Sequence, residues 1–201
     1  MALIWASPPR RINIKQLIAA LSEITQIAAT PLLIDPSGRI DVFFEYSAEF
    51  DASIIDCKKI VVETFIMKKR SVADTLEMLR LVLVNCIRYG KTLVIGMSNS
   101  AMAFENTFNS PDHFPIEVFQ NSGKPVLQKC ILDKLIRAHD MTNGVLIPKI
   151  GFQVVITSQL GFDSYNESLA SALPTELISP VEIDPVQDEN GYHHRAEQYG
   201  R

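Results

Sequence analysis

Three short, uninterrupted aliphatic runs constrain this chain more than any other feature: Leu32-Leu33-Ile34, Leu93-Val94-Ile95 and Val154-Val155-Ile156. Each is too short for a helix and carries no polar alternation, so each reads as a strand buried on both faces, the pattern of a parallel sheet covered by helices. The segments between them supply those helices. Residues 12 to 29 place Ile14, Leu17, Ile18, Leu21, Ile24 and Ala28 at spacings of three and four, with Asn13 as N-cap and Pro31 barring continuation. Residues 71 to 89 are the clearest helix. Ser71 and Asp74 form a capping pair, Leu76, Leu79, Leu83 and Ile87 form the stripe, and Gly90 follows as the C′ residue.

Weaker patterns complete the order. Residues 40 to 50 suggest a helix with Val42, Phe43, Tyr46 and Phe50 on one side. Lys59 to Ile66, rich in β-branched residues, suggests a second strand. A loop rich in Asn, Ser, Pro and Phe occupies 98 to 123, Lys124 to Ala138 is amphipathic, and Leu177 to Ile183 suggests the last strand. Strands alternating with helices imply an α/β fold, a three-layer α/β/α sandwich with a mostly parallel sheet. Its expected extent is residues 1–184. Residues 185–201 contain one aliphatic side chain larger than Ala and read as a polar, solvated tail.

Composition narrows the function classes. The chain has 201 residues, 47% hydrophobic and 21% charged, which suits one globular domain with a core that needs no disulfide or metal staple. A net charge of −4 argues against a dedicated nucleic-acid binder, whose affinity comes from clustered Lys and Arg. No apolar run approaches the roughly 20 residues that span a bilayer, so no membrane partner is expected. The first ten residues are too short in apolar content for a secretory signal. Cys57, Cys86 and Cys130 lie far apart, without zinc or disulfide spacing, as expected of reduced thiols in the cytoplasm.

Ligands of an open parallel sheet sit at the carboxyl ends of its strands. A phosphate-cradling loop needs Gly residues for converging N–H groups and a Lys for the phosphates, and neither G-x-x-x-x-G-K-[ST] nor G-x-G-x-x-G occurs. Its expected place, after Ala2-Leu3-Ile4-Trp5 and before the first helix, holds Ala-Ser-Pro-Pro-Arg-Arg, where two prolines remove two donors. Arg10 and Arg11 are the only anion contacts on offer there. Leu93-Val94-Ile95 is followed by Gly96-Met97-Ser98-Asn99, with no magnesium-binding acid until Glu105. Asp35 does end a strand, but Asp-Pro-Ser-Gly reads as an Asx-stabilised turn in preference to a metal ligand. Thr157 and Ser158 end another strand and are candidates to orient water near a phosphate. No G-x-S-x-G elbow is present, and His193-His194 falls in the tail. No catalytic residue, cofactor or metal site is expected, and the chain is not expected to be an enzyme.

Three segments in order, Pro31-Leu-Leu-Ile-Asp-Pro-Ser-Gly38, Leu83-Val-Asn-Cys-Ile-Arg-Tyr-Gly-Lys-Thr-Leu-Val-Ile95 and Phe152-Gln-Val-Val-Ile-Thr-Ser-Gln-Leu160, resemble the fifth AAA+ module of dynein heavy chains. The likeness runs over about residues 5 to 185, with Trp5 and Pro8 where that module carries its degenerate nucleotide loop. The sequence departs from the family pattern at Gly96 or Met97, where acids usually stand, and at Arg10, near an acidic position; the helical lid is missing. The resemblance implies a P-loop NTPase-like core stripped of its hydrolytic parts. It implies a structural or adaptor subunit of a ciliary or other microtubule-associated complex, whose partners are protein subunits of a larger axonemal or dynein-related assembly. A single such core leaves its side faces for a partner, and Phe104, Phe108, Phe114 and Phe119 are the contact candidates. The alternatives are a regulatory subunit that retains ADP or ATP without hydrolysis, through Arg10, Arg11, Thr157 and Ser158, and a small-molecule enzyme with an unrecognised site.

Overall fold

The computed structural model describes residues 9–47, 50–141, 143–161, 164, 169 and 171–184. Ala2 to Trp5, Pro8 and the tail from 185 on, with His193 and His194, lie outside the described residues. The described chain forms β1 (Arg10–Ile12), α1 (Leu17–Gln26), β2 (Thr30–Ile34), α2 (Arg39–Tyr46), β3 (Ala52–Asp56), α3 (Cys57–Val61), α4 (Val72–Tyr89), β4 (Thr92–Gly96), α5 (Lys129–Leu135), β5 (Gln153–Ser158) and β6 (Ile178–Ile183). The six strands make one sheet in the order β1-β6-β2-β5-β4-β3, parallel at every pairing. The expected α/β/α sandwich is the fold.

Period-two alternation splits the aliphatic runs between two cores. Leu33, Val94 and Val155 face one way, onto Leu17, Leu21 and Ile24 of α1 and Ile40 and Phe44 of α2. Leu32, Ile34, Leu93, Ile95, Val154 and Ile156 face the other, onto Leu79, Leu83 and Ile87 of α4 and a cluster of aromatics. Both faces are dry, which is why these strands show no polar alternation.

The two strongest helix signals hold. Asn13 and Gln16 form a capping box ahead of α1, Ser71 and Asp74 another at α4, and Gly90 closes α4 in the left-handed conformation at φ 68°. A side chain at Gly90 would meet the Ile150 carbonyl, so only glycine fits. Lys59 to Ile66 is not a strand: Asp56 Oδ1 accepts the Lys59 N–H at 2.9 Å and starts α3, which continues as a π-helical turn over Val62–Ile66. The strand there is Ala52–Asp56, an edge strand whose half-exposed side chains hide it from a hydrophobic scan. In α2 the buried pair is Ile40 and Phe44, while Val42 and Tyr46 are exposed. Lys124 to Ala138 divides into 3-10 turns through Leu127 and the seven-residue α5.

Phe104, Phe108, Phe114 and Phe119 are each at most 1% exposed. Their rings meet at centroid distances from 5.2 Å (Phe104–Phe119) to 6.3 Å (Phe104–Phe108). They are the inner wall of the loop between β4 and α5 and not contact residues for a partner. Packed rings of this kind let an irregular segment cover a sheet face that a helix would otherwise cover. Among the described residues no helix is long and apolar enough to cross a membrane.

Candidate functional site

The chain leaves β2 toward β3 at one edge of the sheet, then returns strand by strand through β4 and β5 to β6 on the other side of β2. The neighbours β2 and β5 therefore send their connections in opposite directions. The crevice beyond their carboxyl ends is the topological switch point, where open α/β sheets bind ligands. It lies at the β2–α2 turn, Asp35-Pro36-Ser37-Gly38, and not ahead of α1.

Asp35 is buried and fills that turn with its own carboxylate. Its Oδ1 accepts the Ser37 N–H at 3.1 Å and the Ser37 hydroxyl, and its Oδ2 accepts the Ile40 N–H at 3.0 Å. The expected Asx turn is present, extended into a cap on α2. Gly38 makes the turn fit, with φ 73° and Gln159 Nε2 lying 3.2 Å from where a Cβ would stand. Arg39 donates to Ser37 Oγ at 2.7 Å and to the Asp184 carbonyl at 2.6 Å, and its guanidinium lies 3.7 Å from Asp35.

A second carboxylate closes the crevice from α2. Asp41, in the first turn, accepts the Thr157 hydroxyl at 2.7 Å and the Gln159 amide at 2.9 Å. The strand ends are also tied together: the Asp35 N–H donates to the Ser158 carbonyl, the Met97 N–H to the Thr157 carbonyl and the Gln159 N–H to the Ser98 carbonyl, at 2.8 to 2.9 Å. Thr157 and Ser158, each 2% exposed, end β5 at the switch point, where Thr157 is committed to Asp41 and the Ser158 hydroxyl accepts the Leu160 N–H at 3.2 Å.

Arg10 and Arg11 do not join them. They lie on the edge strand β1, paired with Glu23 and, at 2.9 Å, with Glu182, and both are exposed. Two strands separate β1 from β5, a gap of about 14 Å at the usual strand spacing. Asp41 and Gln159 are the crevice residues that sequence reasoning missed. The available signal was the Asp-Pro-Ser-Gly turn itself, which puts an acid six positions on into the first helical turn.

The other polar cluster supports the fold. The Arg80 guanidinium is fully buried and donates to Asp140 Oδ2 at 2.5 Å, to the Leu135 carbonyl at 2.8 Å and to both Glu77 oxygens at 2.8 and 3.0 Å. Burial works to raise the Asp140 pKa, but hydrogen bonds from Arg80 and the Arg137 N–H outweigh it and hold the carboxyl below the ordinary Asp value. Glu77 is lowered as well, chiefly by its hydrogen bond from Arg80. Burial pushes the Cys57 thiol up, and the Cys86 thiol up to about 11, so neither supplies the thiolate that a nucleophile requires. Among the described residues no three His, Cys, Asp or Glu side chains converge to hold a metal ion. Comparison with protein-family models, curated proteins and solved structures returns no significant match to this chain.

Proposed function

We propose that this chain is a non-catalytic scaffold or adaptor module, an α/β core whose ligand-binding end is held shut by its own side chains. One observation carries the reading: at the switch point, Asp35 and Asp41 occupy the N–H, hydroxyl and amide donors that a bound anion would use. A phosphate entering there meets two carboxylates and one already engaged cation, Arg39. At the helix N-terminus that would attract it, the Ile40 N–H already donates to Asp35 Oδ2. The resemblance of three segments to the fifth AAA+ module of dynein heavy chains supports a role as a protein subunit of a microtubule-associated assembly, in the cytoplasm and cytoskeleton, with the ciliary axoneme as the specific proposal.

Calorimetric titration with ATP and ADP in the presence of magnesium tests the first part. No heat of binding and no phosphate release at millimolar nucleotide is the expected result. Saturable binding that disappears in Thr157→Val would overturn it in favour of a nucleotide-retaining regulatory subunit. Affinity purification of the endogenous protein tests the second part, with co-recovery of axonemal components as the expected outcome.

A further inference from the structure

The opposite side of the molecule is built the other way. Among the described residues β3 is an edge strand with β4 as its one neighbour. The Thr92 N–H donates to the Asp51 carbonyl, and the register pairs Ser53 with Leu93 and Ile55 with Ile95. Backbone groups alternate along a strand, so Ser53 and Ile55 serve the β4 ladder while the N–H and C=O of Ala52 and Ile54 point outward. Ile54 is 41% exposed. Beside this edge run two adjoining depressions that share Ile54 and Val82. Their far wall is α4, with Leu81, Val82 and Met78, so the free edge and an apolar helix face bound one groove.

Charge says what kind of segment fits. The carboxylates lining the groove are engaged: Asp56 caps α3, Glu63 lies 3.5 Å from Arg70, and Asp140 holds Arg80. Lys59 at one end and Arg88 at the other make no ion pair among the described residues. Residues 57 to 71 carry five cations against one carboxylate in a chain whose net charge is −4. A second copy docked edge to edge would bring like charges together, and a flat bilayer does not enter a groove.

We propose that the β3–α4 groove is a docking site for an extended segment of a partner protein, added to β3 as a seventh strand. Its alternate side chains are apolar and pack on Leu81 and Val82, and its flanking carboxylates reach Lys59 and Arg88. Main-chain hydrogen bonds to Ala52 and Ile54 supply the affinity, and the helix wall and end charges supply the choice of sequence. The β3 edge is open to a partner strand whether or not the switch-point crevice takes a nucleotide.

The test is selection of a random decapeptide display library on the intact protein, followed by 15N–1H spectra of the protein with the recovered peptides. The expected peptides alternate apolar residues and carry Asp or Glu at the ends, and they shift the amides of residues 52 to 56. Ile54→Pro removes an outward N–H without touching the β4 ladder, so its spectrum outside β3 stays that of the parent while binding falls about tenfold or more. The double variant Lys59→Glu, Arg88→Glu keeps the edge and is expected to select basic flanks instead. Failure to enrich any sequence, equal binding by Ile54→Pro, or flanks indifferent to the charge reversal would overturn the proposal. So would concentration-dependent dimerisation, or binding of phosphatidylserine vesicles, that shifts the same amides.

Discussion

The switch-point crevice and the β3–α4 groove belong to one sheet and differ in how completely their polar groups are satisfied. In the crevice, each carboxylate has its donors within the chain: Asp35 takes two N–H groups, and Asp41 a hydroxyl and an amide. In the groove, backbone groups of Ala52 and Ile54 and the charges of Lys59 and Arg88 have no partner among the described residues. A sheet of this kind ordinarily keeps its binding capacity at the strand ends. Here the carboxylates at the strand ends are paired within the chain, and the unpaired backbone groups lie along an edge, the kind of surface that an added strand can pair with.

The largest effect is expected where the groove wall is anchored. Arg80→Met leaves Asp140 and the Leu135 carbonyl buried without their donor, and breaking a buried pair in this way costs about 3–5 kcal/mol. Urea unfolding measures it, and loss of groove binding with an intact crevice would show the two regions to be separable. The same network sets an acid limit. Asp140 and Glu77 titrate lower in the folded chain than in the unfolded one, so the stability they add is present above the ordinary carboxylate pKa, about 4, and is lost as pH falls through the lowered folded values. Urea midpoints at pH 7 and pH 3 are expected to drop by less in Arg80→Met than in the parent.

Next comes Asp35→Ala. It leaves the buried Ile40 N–H and the part-buried Ser37 N–H without their acceptor and is expected to cost about 1–3 kcal/mol by the same measurement. Thr157→Val removes one donor from Asp41, with Gln159 still in place, for about 1 kcal/mol. Smallest is Ile54→Lys, which places a charge on a half-exposed edge position and is expected to change stability by no more than about 0.5 kcal/mol. If Ile54→Lys proved as costly as Asp35→Ala, β3 would be covered within the molecule and the contrast would fail.

Legibility followed burial. Leu32 to Ile34, Leu93 to Ile95 and Val154 to Ile156 are dry on both faces, so their composition announces strands without reference to anything else. Capping at Ser71 and closure at Gly90 are local chemistry and could be read the same way. Lys59 to Ile66 misled because β-branched content mimics a strand, while the Asp56 cap and the packing of Cys57, Ile60 and Thr64 select helix. At the crevice, Asp35 was legible as a turn former. Asp41 was not, because its partners Thr157 and Gln159 lie 116 and 118 residues away.

The four phenylalanines drawn toward a partner by their loop composition are core, since nothing in a loop's sequence tells which ring turns inward. By itself, then, the amino-acid order determined an α/β sandwich with parallel strands and most of its helix ends, because hydrophobic period and capping act over a few residues. Tertiary structure alone decided the strand order, and through it which turn stands at the switch point, which carboxylates close it and which edge stays open. Those outcomes depend on groups that meet only after the crossovers are made.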